Sequence, residues 1–318
     1  MEQKVYNTIS DPMYYKQLID GYENEEIDQW LLYAGNGWSS AYYGSRDQNY
    51  DSSDLFSNDD FLQFSFNCFE KWKKAAFISL GCGNSAIEKH ILSNLGDEYD
   101  ITYIWVDTSS EMISLSIENL KDVTREQMFL RADFGSEEFK NEINNLCRNF
   151  DQKVFAFFGG TFGNIKYTKI INILYNILNK DDKIWIDIWI RQWNKIEDDI
   201  KLFEIYKSYL SDKEEKDFLL HKIISDWIKE SDGEIILKSE EQKESGAIRF
   251  SFYFKFNKKV NINIKNYDIW FLPWYSLKLI QIYRFGVDGF INLLAWHNFE
   301  LLEKQTKWYD WQFLFKKL

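Results

Sequence analysis

A glycine turn follows the first of several short apolar segments, at a place where a ligand could meet the backbone. The turn Gly81-Cys82-Gly83 comes after the run Ala75–Leu80 and before a segment with helical periodicity. Glycine has no Cβ to hold a ligand away, and a helix that begins at such a turn points its backbone N–H groups at the ligand. Glycine is also common in ordinary turns, so this spacing indicates a binding loop only in combination with other residues.

Two acidic residues stand at the ends of the next two apolar segments. Asp107 ends the second segment, where a carboxylate can accept both ribose hydroxyls of an adenosine. Asp133 follows the third, and it could bond the adenine amino group while the ring of Phe134 covers the base. Each carboxylate could instead cap the helix that follows it. Because ligands of open α/β sheets bind at the carboxyl ends of the strands, the order of these groups predicts one shared site.

The hydrophobic pattern predicts an α/β protein with a doubly wound sheet. Short apolar runs alternate with amphipathic segments between about residue 74 and Ile190, which is typical of βαβ units and a parallel sheet. After Ile190 the pattern changes to two charged helices and the strictly alternating segment Ala247–Phe256, which predicts a half-buried antiparallel strand. We therefore predict four parts: a helical and loop-rich segment at 1–60 that contributes to the substrate pocket, a cofactor-binding core at 61–193, an inserted α+β substrate subdomain at 194–275, and a return to the core sheet at 276–318.

Charge and composition narrow the classes of partner. The formal net charge of −12 argues against binding to duplex nucleic acid, where contacts to phosphates dominate the affinity. The three cysteines have no paired spacing, which predicts free thiols in a reducing compartment, and the three widely spaced histidines give no reason to expect a metal site. No apolar run has the length of a membrane span. We expect a cytoplasmic monomer whose partner is a small molecule.

The most specific motif is the string Gly159-Gly160-Thr161-Phe162-Gly163-Asn164, which follows an apolar segment. A tight turn after a strand is the ordinary explanation of such glycines. Together with the glycine turn, however, the string resembles class I S-adenosylmethionine-dependent methyltransferases. More narrowly, it resembles the substrate loop of the histidine-specific Nα-methyltransferases of the ergothioneine pathway. The resemblance implies a Rossmann-like methyltransferase sheet, with S-adenosyl-L-methionine as the cofactor and S-adenosyl-L-homocysteine as the product. NAD and FAD fit less well, because the third glycine of the dinucleotide fingerprint is missing.

The resemblance also implies roles for individual residues. It places the cofactor against Gly81, Gly83, Asp107, Asp133, Phe134 and Gly159. It places the acceptor amine against the catalytic positions Thr161, Asn164 and Tyr206, and the rest of the acceptor against Gly160 and Ser276. The N-terminal tyrosine motif by which the family binds the acceptor is not evident here; Tyr42 or Tyr43 could take its place, and Trp274 stands at the position that sets the specificity for the acceptor. Tyr206 lies in the diverged part of the chain, where a buried position on an amphipathic helix explains it equally well.

One departure from the family concerns the specificity for the acceptor. The histidine enzymes carry a glutamate two residues before the serine that Ser276 matches, whereas this chain has Trp274. An indole cannot accept a hydrogen bond as a carboxylate does, so we expect an N-methyltransferase for an amino acid or small amine other than free histidine. Two alternatives stay open: a methyltransferase for a peptide or for an O- or C-nucleophile, and a non-catalytic binding protein that keeps the fold.

Overall fold

The structure is a computed structural model, and it describes residues 4–28, 30–33, 59–191, 196–225, 228–307 and 310–318. Within these ranges the strands are β1 (Lys4–Asn7), β2 (Lys74–Leu80), β3 (Asp100–Asp107), β4 (Gln127–Arg131), β5 (Gln152–Phe157), β6 (Lys183–Trp189), β7 (Gly233–Gln242), β8 (Ala247–Phe256), β9 (Val260–Ile264), β10 (Tyr267–Phe271), β11 (Ser276–Arg284), β12 (Phe299–Lys307) and β13 (Asp310–Lys317).

The helices within the same ranges alternate with the strands in the first half of the chain. They are α1 (Asp11–Glu23), α2 (Trp30–Tyr33), α3 (Asp59–Cys68), α4 (Ala86–Asn94), α5 (Ser110–Asn119), α6 (Glu137–Cys147), α7 (Tyr167–Ile177), α8 (Ile196–Tyr209), α9 (Lys213–Ser225) and α10 (Val287–Trp296). None of these helices is long and apolar enough to cross a membrane.

The larger sheet has the strand order β1-β4-β3-β2-β5-β6-β13-β12. Strands β1 to β6 are parallel, whereas β13 runs antiparallel to both of its neighbours, β6 and β12. The order reverses between β2 and β5, which opens a crevice at the carboxyl ends of the strands. This doubly wound arrangement confirms the predicted α/β class.

Helices cover both faces of this sheet, because the strands between β2 and β6 are apolar on both sides. One face packs against α6, α7 and α10, and the other against α3, α4 and α5. Helix α7 shows the reason in its sequence, since Ile170, Ile171 and Leu174 repeat at helical spacing and are all buried. Ser109 and Ser136 cap α5 and α6 by accepting backbone hydrogen bonds, which fixes where these helices begin at the edge of the crevice.

The second sheet is antiparallel, with the order β11-β8-β7. The alternating segment predicted as a strand is β8, and its residues Phe250, Phe252 and Phe254 are buried in a core shared with α1, α8 and α9. The alternation is therefore confirmed. The opposite face of β8 is partly covered as well, because Ser251 is also buried.

Two features of the organisation differ from the sequence expectation. The lead-in contains a strand, β1, at the edge of the large sheet; four residues are too few for a recognisable alternation. The return to the core sheet was expected at residue 276, but β11 pairs with β8 over Ser276–Arg284 and so extends the second sheet. The chain rejoins the large sheet through α10, β12 and β13.

Candidate active site

A cavity of about 350 Å³ opens at the carboxyl ends of β2, β3, β4 and β5. The structure brings to its wall Gly81, Gly83, Asp107, Asp133, Phe134, Gly159, Thr161 and Asn164. These residues come from four separate loops, each of which follows one parallel strand. The sequence expectation that the glycine turn and the two carboxylates share one site therefore matches the geometry.

The glycine turn needs glycine for two different reasons. Gly81 and Gly83 have φ angles of 72° and 54°, in the left-handed region that favours glycine. A Cβ on Gly81 would lie 2.8 Å from Cγ2 of Thr161, so the turn and the Gly159–Asn164 segment touch. A Cβ on Gly83 would meet no atom within 4 Å. The turn thus presents backbone to the cavity.

Asp107 ties the glycine turn to the start of α5. Its Oδ2 accepts a hydrogen bond from the Gly83 backbone N–H at 3.2 Å, and its Oδ1 accepts one from Ser109 at 2.9 Å. Burial raises the pKa of Asp107 to about 6, although these backbone N–H groups lower it. Each carboxylate oxygen can accept more than one donor, so the capping role leaves capacity for ribose hydroxyls.

Asp133 also lines the cavity, and its carboxylate is the first of three charged side chains that lie next to one another. Its Oδ1 accepts a hydrogen bond from the Gly135 backbone N–H at 2.8 Å, and its Oδ2 lies 3.7 Å from Nζ of Lys169. Lys169 also pairs with Asp28 at 3.2 Å, so α7 connects the cavity with the N-terminal segment. Burial raises the pKa of Asp133, and Lys169 lowers it. The ring of Phe134 stands edge-on to Phe157, with centroids 6.3 Å apart.

The turn after β5 forms the wall nearest to β6. Gly159 and Gly160 have positive φ angles, and a 3-10 turn follows over Thr161–Asn164. The Gly159 backbone N–H donates to Oδ2 of Asp187 at 3.1 Å, and the Thr161 hydroxyl donates to the Phe158 carbonyl at 2.8 Å. The motif is a tight glycine turn and a wall of the cavity at the same time.

Sequence reasoning missed Glu88, which lines the cavity from the first turn of α4. Only 1% of it is exposed, and its Oε1 accepts a hydrogen bond from the Ser79 hydroxyl at 2.5 Å. Burial raises the pKa of Glu88 to about 7, while the hydroxyls of Ser79 and Tyr103 lower it. An acidic residue in a first helical turn is ordinary, so the local sequence carries no signal for its burial.

The remaining candidates within the described residues do not line this cavity. Tyr206 is buried in the second core, with its ring 4.7 Å from that of Phe250. Trp274 is 76% exposed, and Ser276 pairs with Lys255 at the start of β11. Gly160 begins the 3-10 turn but does not line the cavity. Tyr43 lies outside the described residues.

The position of Trp274 removes one argument about the acceptor. The expectation of an acceptor other than histidine assumed that Trp274 faces the acceptor, and an exposed ring outside the cavity gives that assumption no support. The physical reason for the misassignment is strand pairing: residues 274–276 lie where the chain enters β11 beside the far end of β8. The position of Trp274 in the fold could not be predicted from its spacing to Ser276 alone.

Gly81→Ala is expected to weaken the binding of S-adenosylhomocysteine about 10-fold, because the new Cβ would lie 2.8 Å from Cγ2 of Thr161 and so displaces either the glycine turn or Thr161 from the cavity wall. The second substitution Thr161→Ser removes Cγ2 and should restore part of the affinity. Isothermal titration of both variants measures the difference. Equal affinities of the single and the double variant would show that the contact with Thr161 is unimportant.

The cavity lies at the carboxyl ends of the strands of a doubly wound sheet, where ligands of this fold class bind. Residues 63–186 match the model of a family described as histidine-specific, S-adenosylmethionine-dependent methyltransferases. The matched part is less than half of the chain, and over these residues the chain is similar to S-adenosylmethionine-dependent methyltransferases. The match covers the strands β2 to β5 and the loops after them that line the cavity, and it ends before the second sheet.

Similar solved structures include several S-adenosylmethionine-dependent methyltransferases. One from Clostridium acetobutylicum is 12% identical, with 86% of this chain and 98% of that chain covered and a TM-score of 0.44. One from Methanosarcina mazei is 14% identical, with 80% and 97% covered and a TM-score of 0.42. One from Mesorhizobium loti is 7% identical, with 82% and 100% covered and a TM-score of 0.40. No curated protein matches the sequence.

The residues of the cavity fit the cofactor. The backbone of the glycine turn faces the cavity, because a Cβ on Gly83 would point into open space. Asp107 would hold the ribose and Asp133 the adenine amino group, with Phe134 against the base. Two further rings, Trp30 and Tyr33, line the cavity from α2.

Proposed function

We propose that the protein methylates the amino group of an amino acid or a related small amine. The observation that carries this proposal is the shared cavity, since Thr161 and Asn164 line the same space as the glycine turn and Asp107. The cofactor, when bound, supplies an electrophilic methyl group. An acceptor held by the turn after β5 would therefore lie beside the donor.

The contribution of the chain to such a transfer is orientation and the exclusion of water. An amine attacks only in its neutral form, and holding its lone pair in line with the methyl group lowers the entropic part of the barrier. The carboxamide oxygen of Asn164 can accept a hydrogen bond from the amine and so fix its direction. Rings such as Trp30, Phe134 and Phe158 line the cavity and would stabilise cationic groups by about 0.5–2 kcal/mol each.

The proposal includes several chemical classes of methyl acceptor. The matched family is described as histidine-specific, and histidine stays among the candidates because Trp274 lies outside the cavity. A screen by mass spectrometry for the gain of a methyl group should therefore include the proteinogenic amino acids, small peptides and phenols. Methylation of peptides or phenols alone would contradict the proposal. If the protein does not bind S-adenosylhomocysteine in isothermal titration, methyl transfer from S-adenosylmethionine itself is contradicted.

Asn164→Ala is expected to lower kcat/KM for the amine acceptor at least about 10-fold. This factor corresponds to the loss of one hydrogen bond between the side chain of Asn164 and the amine. The affinity for S-adenosylhomocysteine should stay within about twofold of the wild type, because the glycine turn, Asp107 and Asp133 lie on other loops and the backbone of Gly159 is unchanged. Asn172→Ala, at an exposed position of α7, is the matched control. Equal losses in cofactor affinity and in kcat/KM would show that Asn164 supports the fold of the turn and not the acceptor.

A further inference from the structure

Glu88 is a buried carboxyl group in the wall of the cofactor cavity. It lines the cavity from the first turn of α4, and only 1% of it is exposed. Its Oε1 accepts a hydrogen bond from the hydroxyl of Ser79 on β2. No cationic side chain of the described residues pairs with it. When Glu88 is ionised, its charge therefore lacks the counter-charge that buried charges normally have.

The titratable groups that surround Glu88 are acidic or neutral. Tyr103 and Asp107 face it from β3, and Cys82 faces it from the glycine turn. Burial raises the pKa of Tyr103 and that of Cys82 well above their usual values, so both are neutral at neutral pH. Asp107 accepts its hydrogen bonds from backbone N–H groups. Lys169, which also lines the cavity, is already paired with other carboxylates.

This part of the cavity wall favours a positively charged ligand. Burial raises the pKa of Glu88 to about 7, and the charge of Asp107 raises it further. A cation in the cavity would favour the ionised form of Glu88, because it supplies the missing counter-charge. Linkage is reciprocal, so the ionised form of Glu88 strengthens the binding of that cation by the same factor.

The two forms of the cofactor differ by one positive charge. S-adenosylmethionine carries a sulfonium in addition to its ammonium and carboxylate groups. S-adenosylhomocysteine has a neutral thioether in the same place, and the rest of the molecule is the same. A buried carboxylate that acts on the sulfonium through space therefore stabilises the methyl donor and leaves the product unaffected.

We propose that the carboxylate of Glu88 makes the cavity select the methyl donor over the demethylated product by charge. This inference rests on the proposed function and adds a residue that favours the exchange of the product for a new donor. Glu88 acts through its charge and contacts no reacting atom, so it is a specificity-determining residue and not a catalytic one.

Isothermal titration with S-adenosylmethionine and with S-adenosylhomocysteine tests the proposal without a methyl acceptor. The measured quantity is the Kd for the product divided by the Kd for the donor. If ionised Glu88 strengthens donor binding about 10-fold, this ratio should rise about fivefold in the wild type between about pH 6 and about pH 8.5. The rise has this sign because Glu88 loses its proton over the range.

Glu88→Gln should keep the ratio near its value at low pH over the whole range. Glutamine stays neutral and still accepts the hydrogen bond from Ser79. The ligands titrate identically with every variant, so the comparison of variants at each pH isolates Glu88. Glu138→Gln, at an exposed position of α6, is the matched control and should follow the wild type.

Ser79→Ala gives a second readout that a merely structural role of Glu88 would not move. The hydroxyl of Ser79 lowers the pKa of Glu88, so its removal should raise that pKa. The rise of the ratio should then occur at higher pH than in the wild type. An unchanged midpoint in Ser79→Ala would show that another group titrates.

An analogue with a protonated amine in place of the sulfonium separates charge from the methyl group itself. It should show the same pH-dependent preference over S-adenosylhomocysteine as the donor does. A preference for the donor that the cationic analogue does not share overturns the proposal. A ratio that is independent of pH in the wild type, or that rises equally in Glu88→Gln, also overturns it and leaves the proposed function standing. A wild-type protein that binds neither the donor nor the product contradicts the proposed function itself.

Discussion

Asp107→Asn is expected to bind S-adenosylhomocysteine about 100-fold more weakly than the wild type, a loss of about 2.7 kcal/mol. Both oxygens of Asp107 accept backbone hydrogen bonds, from Gly83 and from Ser109. In asparagine one oxygen becomes an amide NH2, so one of these two N–H groups faces a donor, and either the glycine turn or the start of α5 loses its hydrogen bond. The charge that would accept the ribose hydroxyls is lost as well.

Isothermal titration measures this loss, and the free energy of unfolding of each variant shows what part of it comes from the fold. Asp122→Asn, at an exposed position after α5, is the matched control and should bind like the wild type. If Asp107→Asn lowers the stability but keeps the affinity within about twofold, Asp107 is only a cap of α5 and the cofactor is held elsewhere.

The free energy of unfolding of the wild type is expected to fall by roughly 2 kcal/mol between about pH 5.5 and pH 8 because of Glu88, and Glu88→Gln should remove this loss. Burial raises the pKa of Glu88 from 4.5 to about 7, so the folded protein holds this proton over a range in which the unfolded chain has lost it. The stabilisation is complete below the unfolded pKa and is lost as the pH rises through the folded pKa. Glutamine stays neutral, and it can still accept the hydrogen bond from Ser79.

Urea unfolding of the wild type and of Glu88→Gln across this pH range measures the effect. The range begins above the isoelectric point of about 4.9, where the net charge still favours solubility. The variant should gain stability relative to the wild type as the pH rises. Glu138→Gln, at an exposed position of α6, should run parallel to the wild type. Parallel curves for Glu88→Gln would show that Glu88 does not titrate in this range.

The cavity wall at the strand ends could be predicted because its residues are local to strand ends. Gly81 follows β2, Asp107 ends β3 and Asp133 comes two residues after β4, and parallel neighbouring strands bring their carboxyl ends to one edge. The α/β class follows from the same pattern of apolar runs. The glycine motif after β5 was recognisable for the same reason, since the turn is short and requires glycine at positive φ.

The positions of the acceptor candidates outside the cavity could not be predicted in this way. Tyr206 and Arg284 are neighbours only because α8 packs on the second sheet where β11 meets β6. The sequence alone suggested Trp274 and Ser276, but the register of β11 against β8, with its irregularity between Lys278 and Ile280, decides which residues of that strand reach the turn. Register depends on long-range pairing and on turn geometry, and a single sequence does not contain it in readable form.

The sequence by itself determined the parallel core, the cofactor edge and the glycine turn beside it, because period, strand ends and backbone conformation are properties of contiguous residues. Only the tertiary structure decided the burial of Glu88, the link from Asp133 through Lys169 to Asp28, and the contact between Arg284 and Tyr206. Each of these depends on which distant elements pack together. Charge and burial at such positions follow from that packing and not from the residue's own neighbours in the chain.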